Sequence, residues 1–213
     1  MKNLIKILIV IILIFVFANF VNIHKDKEIF KVQEQTNILL TELTSNILKI
    51  YSQLIFEKKL PESKSVTIKS YNKEQLFAKI EINFKQYRIA DYTVSGFVKI
   101  NFLGFDNSNK PCYEIVYPAD FYIIKGSKKF KLFGKQEFCF EKGFYSFNTR
   151  DDDLVLLNGQ LNVRVGRSNI KVNDRNVKIQ NFYPIEGYRT LLSNTLEEKT
   201  FEFHNNFIQD LAK

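Results

Sequence analysis

The chain reads as an α+β protein. An N-terminal membrane helix and a long amphipathic helix precede a curved, mostly antiparallel β-sheet or roll of eight to ten strands, with short C-terminal helices. Three observations predict this: residues 7–23 are almost entirely apolar, no Gly or Pro occurs before Pro61, and from Ser65 the hydrophobic period changes from three-to-four to two.

The first stretch, ILIVIILIFVFANFVNI, follows Lys2 and Lys6 and is closed by His24-Lys25-Asp26-Lys27-Glu28. As a helix, residues 4–23 span about 30 Å, which matches a bilayer core. The same residues also have the parts of a secretory signal, with Val16-Phe17-Ala18 as a small-x-Ala cleavage site. Apolar residues continue past Ala18 (Phe20, Val21, Ile23), which favours an uncleaved single-pass anchor over residues 1–24. The expected location is the inner membrane, with the rest of the chain on the periplasmic, extracytoplasmic side.

Residues 25–60 read as an amphipathic helix. Val32, Leu39, Leu40, Leu43, Ile47, Ile50, Tyr51 and Leu54 recur at steps of three and four, and Pro61 supplies the stop. Nothing forces a break near residue 24, so anchor and helix read as one rod of about 80 Å. The apolar stripe has two readings. It packs on the chain's own sheet, or Leu39, Leu43, Ile47, Ile50 and Leu54 form an interface with another helix.

Residues 61–213 read as the β-rich exported domain. Ala78, Ile80, Ile82 and Phe84 alternate with polar residues, as do Val98, Ile100 and Phe102, and Leu161, Val163 and Val165. Turn signals stand at 104–109, Gly126-Ser127, Asn158-Gly159, 166–168 and Asn173-Asp174. Short connections call for antiparallel pairing, and clean alternation for one buried and one wet face. After Pro184 a helical pattern is expected, over 188–196 and again from Thr200 through Phe203, Phe207 and Leu211.

The only cysteines are Cys112 and Cys139. An exported domain could oxidise them to a disulfide. However, folding 113–125 back on 130–141 about Gly126-Ser127 sets Cys112 opposite residue 143, too far for a bond, which favours two unlinked core thiols.

Chemistry finds little support, and no enzyme is expected. His24 and His204 are the only histidines, and neither has a partner at metal spacing. There is no nucleophile elbow and no glycine-rich phosphate loop. Asp151-Asp152-Asp153 lacks the spacing of a calcium loop and reads as a solvated turn. No cofactor, metal or nucleic acid is called for. The net charge is +8, and Lys125, Lys128, Lys129, Lys131 and Lys135 crowd one hairpin. These lysines either guard a strand edge or contact an anionic lipid or an acidic partner. Arg164, Arg167, Lys171, Arg175 and Lys178 form a second basic series on the later strands, of which Arg164, Lys171 and Lys178 alternate with core residues and read as lining the wet face.

In general plan the chain is similar to the small anchored assembly subunits of bacterial secretion, pilus and conjugation machines. That likeness implies a non-enzymatic component of an envelope assembly, which docks other envelope proteins through its exported domain. Residues 154–180, LVLLNGQLNVRVGRSNIKVNDRNVKIQ, also have a strand-turn-strand cadence that resembles the anchored subunit of the lipopolysaccharide transport bridge. That resemblance implies a lipid or lipopolysaccharide carrier with an apolar groove. The state of the sheet interior, sealed by the helix or open, separates the two.

Overall fold

A computed structural model describes residues 2–55, 63–69, 79–140, 155–180, 182–194 and 197–204, the side chains of 2–27 and of Ile55 excepted. Among the described residues one helix, α1 (Lys2–Ile55), precedes ten strands. These are β1 (Val66–Lys69), β2 (Ile80–Ile89), β3 (Tyr92–Phe105), β4 (Pro111–Tyr117), β5 (Tyr122–Lys125), β6 (Lys128–Phe140), β7 (Val155–Val165), β8 (Ser168–Gln180), β9 (Tyr183–Ser193) and β10 (Glu198–Phe203).

The helix runs through 54 residues without interruption, about 80 Å, as the absence of Gly and Pro predicts. Among residues with described side chains, no helix is long and apolar enough to cross a membrane. The run 7–23 belongs to the part of α1 whose side chains lie outside that description.

All strands pair antiparallel in one sheet, ordered β1-β2-β3-β4-β6-β7-β8-β9-β10. Strand β5 pairs with both β3 and β6, as β4 does. The two therefore share one position in the sheet, separated by the turn at 118–121, where Phe121 N–H donates to the Pro118 carbonyl.

Nine strand positions at about 4.8 Å would make a flat sheet roughly 40 Å wide, while a helix is about 10–12 Å across. Yet the inward face is buried from Ile82 on β2 to Phe203 on β10. The helix is buried on nearly all sides: Leu39, Leu40, Leu43, Ile47 and Leu54 are at most 1% exposed, and Thr36, Asn37, Thr41 and Thr44 are buried with them. Only a sheet coiled around α1 satisfies both facts. Bulges in the pairings of β2–β3, β3–β4, β7–β8 and β8–β9 provide the added twist. Lys199 on the last strand closes over the helix, ion-paired to Glu34 at 3.0 Å and stacked over the Phe30 ring.

Several expectations are corrected. Residues 188–193 and 200–203 are strand, not helix. Their period is two, with Arg189, Leu191 and Ser193 inward and Tyr188, Thr190 and Leu192 outward. Phe207 and Leu211 lie outside the described residues. Asn158-Gly159 and Asn173-Asp174 are not turns; they lie inside β7 and β8, at or next to the bulges. The five residues considered for a partner helix, Leu39, Leu43, Ile47, Ile50 and Leu54, are 0–6% exposed in the chain's own core and unavailable to another helix.

Cys112 and Cys139 are direct cross-strand partners joined in a disulfide. The register expected from sequence missed this twice. The Gly126-Ser127 turn is tight, pairing Lys125 with Lys128, which moves Cys112 from opposite 143 to opposite 141. The turn at 118–121 absorbs two more residues, so Tyr117 meets Gly134 and Cys112 meets Cys139.

Candidate functional site

Two polar features stand out, one inside the sheet and one at its end. The inner one is a row across the strands. The Tyr117 hydroxyl on β4 donates to Gln136 Oε1 on β6 at 2.9 Å. Gln136 Nε2 donates to Asp174 Oδ2 on β8 at 2.7 Å. Asp174 accepts from Arg189 on β9, through Nε and Nη2. Arg189 Nη1 reaches α1, donating to the Asn37 carbonyl at 3.2 Å and to Thr41 Oγ1 at 3.0 Å.

The register explains how β6 contacts β8. Gly159 on β7 is the cross-strand partner of both Gln136 and Asp174. It has no side chain, so Gln136 passes over it; a Cβ there would lie 2.6 Å from Gln136 Cα. Gln136, Asp174 and Arg189 are 0–2% exposed. Burial pushes the Tyr117 hydroxyl far above the ordinary phenol range, and the Asp174 carboxylate adds to the rise, so it remains a donor at any physiological pH.

This row pairs a buried cation with a buried anion and satisfies both with hydrogen bonds, as a buried charge requires. Nothing in the row is an activated nucleophile. The row fixes the position of α1 along the sheet. A second tie lies nearer the helix entry, where Gln33 Nε2 donates to the carbonyls of Leu191 and Glu197.

No motif marks this row. Asn173-Asp174 looks like a turn, and Arg189 falls in a stretch that also fits a helix. The signal that was present is a polar residue at an inward position of an alternating run, as Gln136 is between Leu132 and Phe138.

The second feature is basic and external. The five hairpin lysines are not equivalent. Lys125 pairs with Asp91 at 3.0 Å, and Lys135 with Glu114 at 3.0 Å. Lys129 lies over the Tyr122 ring at 3.6 Å. Lys128 and Lys131 have no carboxylate partner among the described residues, and Lys131 faces Arg164 directly across β6–β7. Of the second series, Lys178 pairs with Glu186 at 2.8 Å. Arg164, Arg167, Lys171 and Arg175 are exposed.

Lys128, Lys129 and Arg167 converge at the tips of the β5–β6 and β7–β8 hairpins. With Ser127, Ser168, Asn194 and helix residues Glu28, Ile29 and Val32, they line a cleft of about 760 Å³ where α1 enters the domain. The turns are tight because Gly126 and Gly166 take φ of 57° and 58°, a left-handed backbone that suits glycine.

Among the described residues no group of His, Cys, Asp and Glu could hold a metal. His204 lies 3.5 Å from Glu202 on the surface. The side chain of His24 and the whole of 151–153 lie outside the described residues. No protein-family model, curated protein or solved structure matches the chain.

Proposed function

We propose that this is a non-enzymatic, single-pass anchored subunit of a bacterial envelope assembly, docking protein partners through the outer face of its exported domain. The observation that carries this reading is the uninterrupted run of helix α1. Its first part contains the apolar run 7–23, and its second part is the axle inside the sheet. A domain locked to a membrane segment in this way is held in a set orientation, which suits an assembly part. The Cys112–Cys139 disulfide agrees with an oxidising compartment.

The carrier reading requires an apolar groove between layers. Leu39, Leu43, Ile47, Tyr51 and Leu54 of α1 occupy the interior that a lipid chain would need. This favours docking.

The test is fractionation of the full chain expressed in a diderm bacterium. Resistance to alkaline carbonate, an intact N-terminus, and digestion of the domain by protease added to the periplasm are expected. A mature chain starting at Asn19 would overturn the anchor, and lipid retained in stoichiometric amount by the purified protein would restore the carrier.

A further inference from the structure

We infer that the hairpin tips at the helix entry form a basic collar that rests on anionic lipid headgroups of the membrane holding residues 7–23. The inference rests on the anchored reading and adds what the near end of the domain touches. Residue 23 ends the apolar run, and the cleft begins at Glu28. Five helical residues rise about 7.5 Å. The collar therefore lies within about one Debye length of the headgroups at physiological salt.

The charge at that level is mostly of one sign. Lys128, Lys129 and Arg167 line the cleft against a single acid, Glu28. Exposed Lys31 adds to it from the helix. Lys128 and Arg167 have no ion-pair partner among the described residues, whereas Lys125, the cross-strand partner of Lys128, is paired with Asp91, and Lys135, farther along β6, with Glu114. The unpaired lysines of the cluster thus include one at the tip, while both ends of the five-lysine series are neutralised. The cleft is also partly apolar, through Ile29, Val32 and Val165, and Phe30 beside it is 48% exposed. An aromatic ring at that height suits the membrane interface. Each cation near an anionic leaflet is worth roughly a fivefold shift toward the docked state.

The test uses the full chain in lipid nanodiscs, either phosphatidylcholine alone or phosphatidylcholine with a quarter phosphatidylglycerol. A nitroxide on Ser127→Cys reports contact with a headgroup-borne relaxation agent, and one on Asn107→Cys in the β3–β4 turn is the distant reference. The label at 127 should register the headgroup layer in anionic discs and lose at least tenfold of that contact in neutral discs, at 0.5 M salt, or in Lys128→Glu/Arg167→Glu. The label at 107 should register none. The lipid and salt arms use unaltered collar residues, so a variant that misfolds does not decide the outcome. Equal contact at 127 in all arms, with the chain inserted, would overturn the collar alone. A chain that does not insert into discs of either composition would overturn the anchored reading and the collar with it.

Discussion

Arg189 is the residue on which helix and sheet meet. Its guanidinium holds Asp174 on one side and the backbone and side chains of α1 on the other, with side-chain exposures of 2% and 1% across the ion pair. Taking one partner from a buried pair leaves the other charge unpaired, which costs about 3–5 kcal/mol. Arg189→Met should lower stability by about that amount in urea unfolding. Arg189→Met/Asp174→Leu should lie closer to the parent than Arg189→Met alone, because no orphan charge remains. A double variant as unstable as the sum of its parts would mean that the pair is replaceable packing. Glu42 permits a pH test. Burial raises its carboxyl above the ordinary 4.5, with Lys125 opposing and Asp91 adding to the rise. A raised carboxyl favours the protonated form in the fold, so ionised Glu42 destabilises as pH climbs above 4.5. Glu42→Gln should therefore raise the Tm at pH 7 and leave it unchanged at pH 3. An equal gain at both would assign the effect to packing. Glu114 has the opposite sign: hydrogen bonds from Asn101 and Lys135 hold its carboxyl low, and what it contributes is lost as pH falls through that lowered value.

At the scale of elements, the disulfide ties β4 to β6 beside an aromatic cluster. Tyr113 and Phe138 stack at 5.2 Å, and Tyr51 of α1 meets both edge-on. Burial pushes the Tyr113 hydroxyl up to about 12. The bond closes a sequence separation of 27 residues, which the chain-entropy relation values at about 3.6 kcal/mol. Cys112→Ser/Cys139→Ser should lose about 3 kcal/mol in denaturant, and the parent should show no free thiol when unfolded without reductant. A thiol titre of two would remove the bond. Much of the fold was legible before the structure. The alternation of Ile80, Ile82 and Phe84, or of Leu161, Val163 and Val165, placed strands correctly because each is buried on one face only. What stayed illegible was register. Whether the residues at 118–121 pair or turn depends on β3 and β6 lying on either side, which no local pattern records. Arg189 and Asp174 misled for a related reason. Each is a poor strand residue alone, and they become acceptable only as direct partners across β8–β9. The external site was half legible: the lysine run marked the hairpin, but only the fold separates neutralised Lys125 and Lys135 from Lys128 at the tip.

For the whole molecule, α1 is a component of the β-domain and not a stalk attached to it. The sheet's inner face from β2 to β10 has no other described element to cover it, and the single core cluster mixes residues of both. This bears on how the protein can be divided. Leu39, Leu40, Leu43, Ile47, Tyr51 and Leu54 are each at most 1% exposed. Burial of each is worth about 1.5–3 kcal/mol, so together they match or exceed the whole stability of an ordinary domain, about 5–15 kcal/mol. A fragment of residues 28–213 keeps them and should melt cooperatively, with a Tm within a few degrees of the full chain in the same detergent. A fragment of residues 56–213 loses them together with the Asn37 and Thr41 contacts of Arg189. It should show no cooperative melt by circular dichroism, bind an apolar dye and aggregate on gel filtration. A monomeric, cooperatively folded 56–213 would mean that the sheet can close on itself. It would make the helix a removable insert, and the rigid link from membrane segment to outer face would no longer follow from the fold.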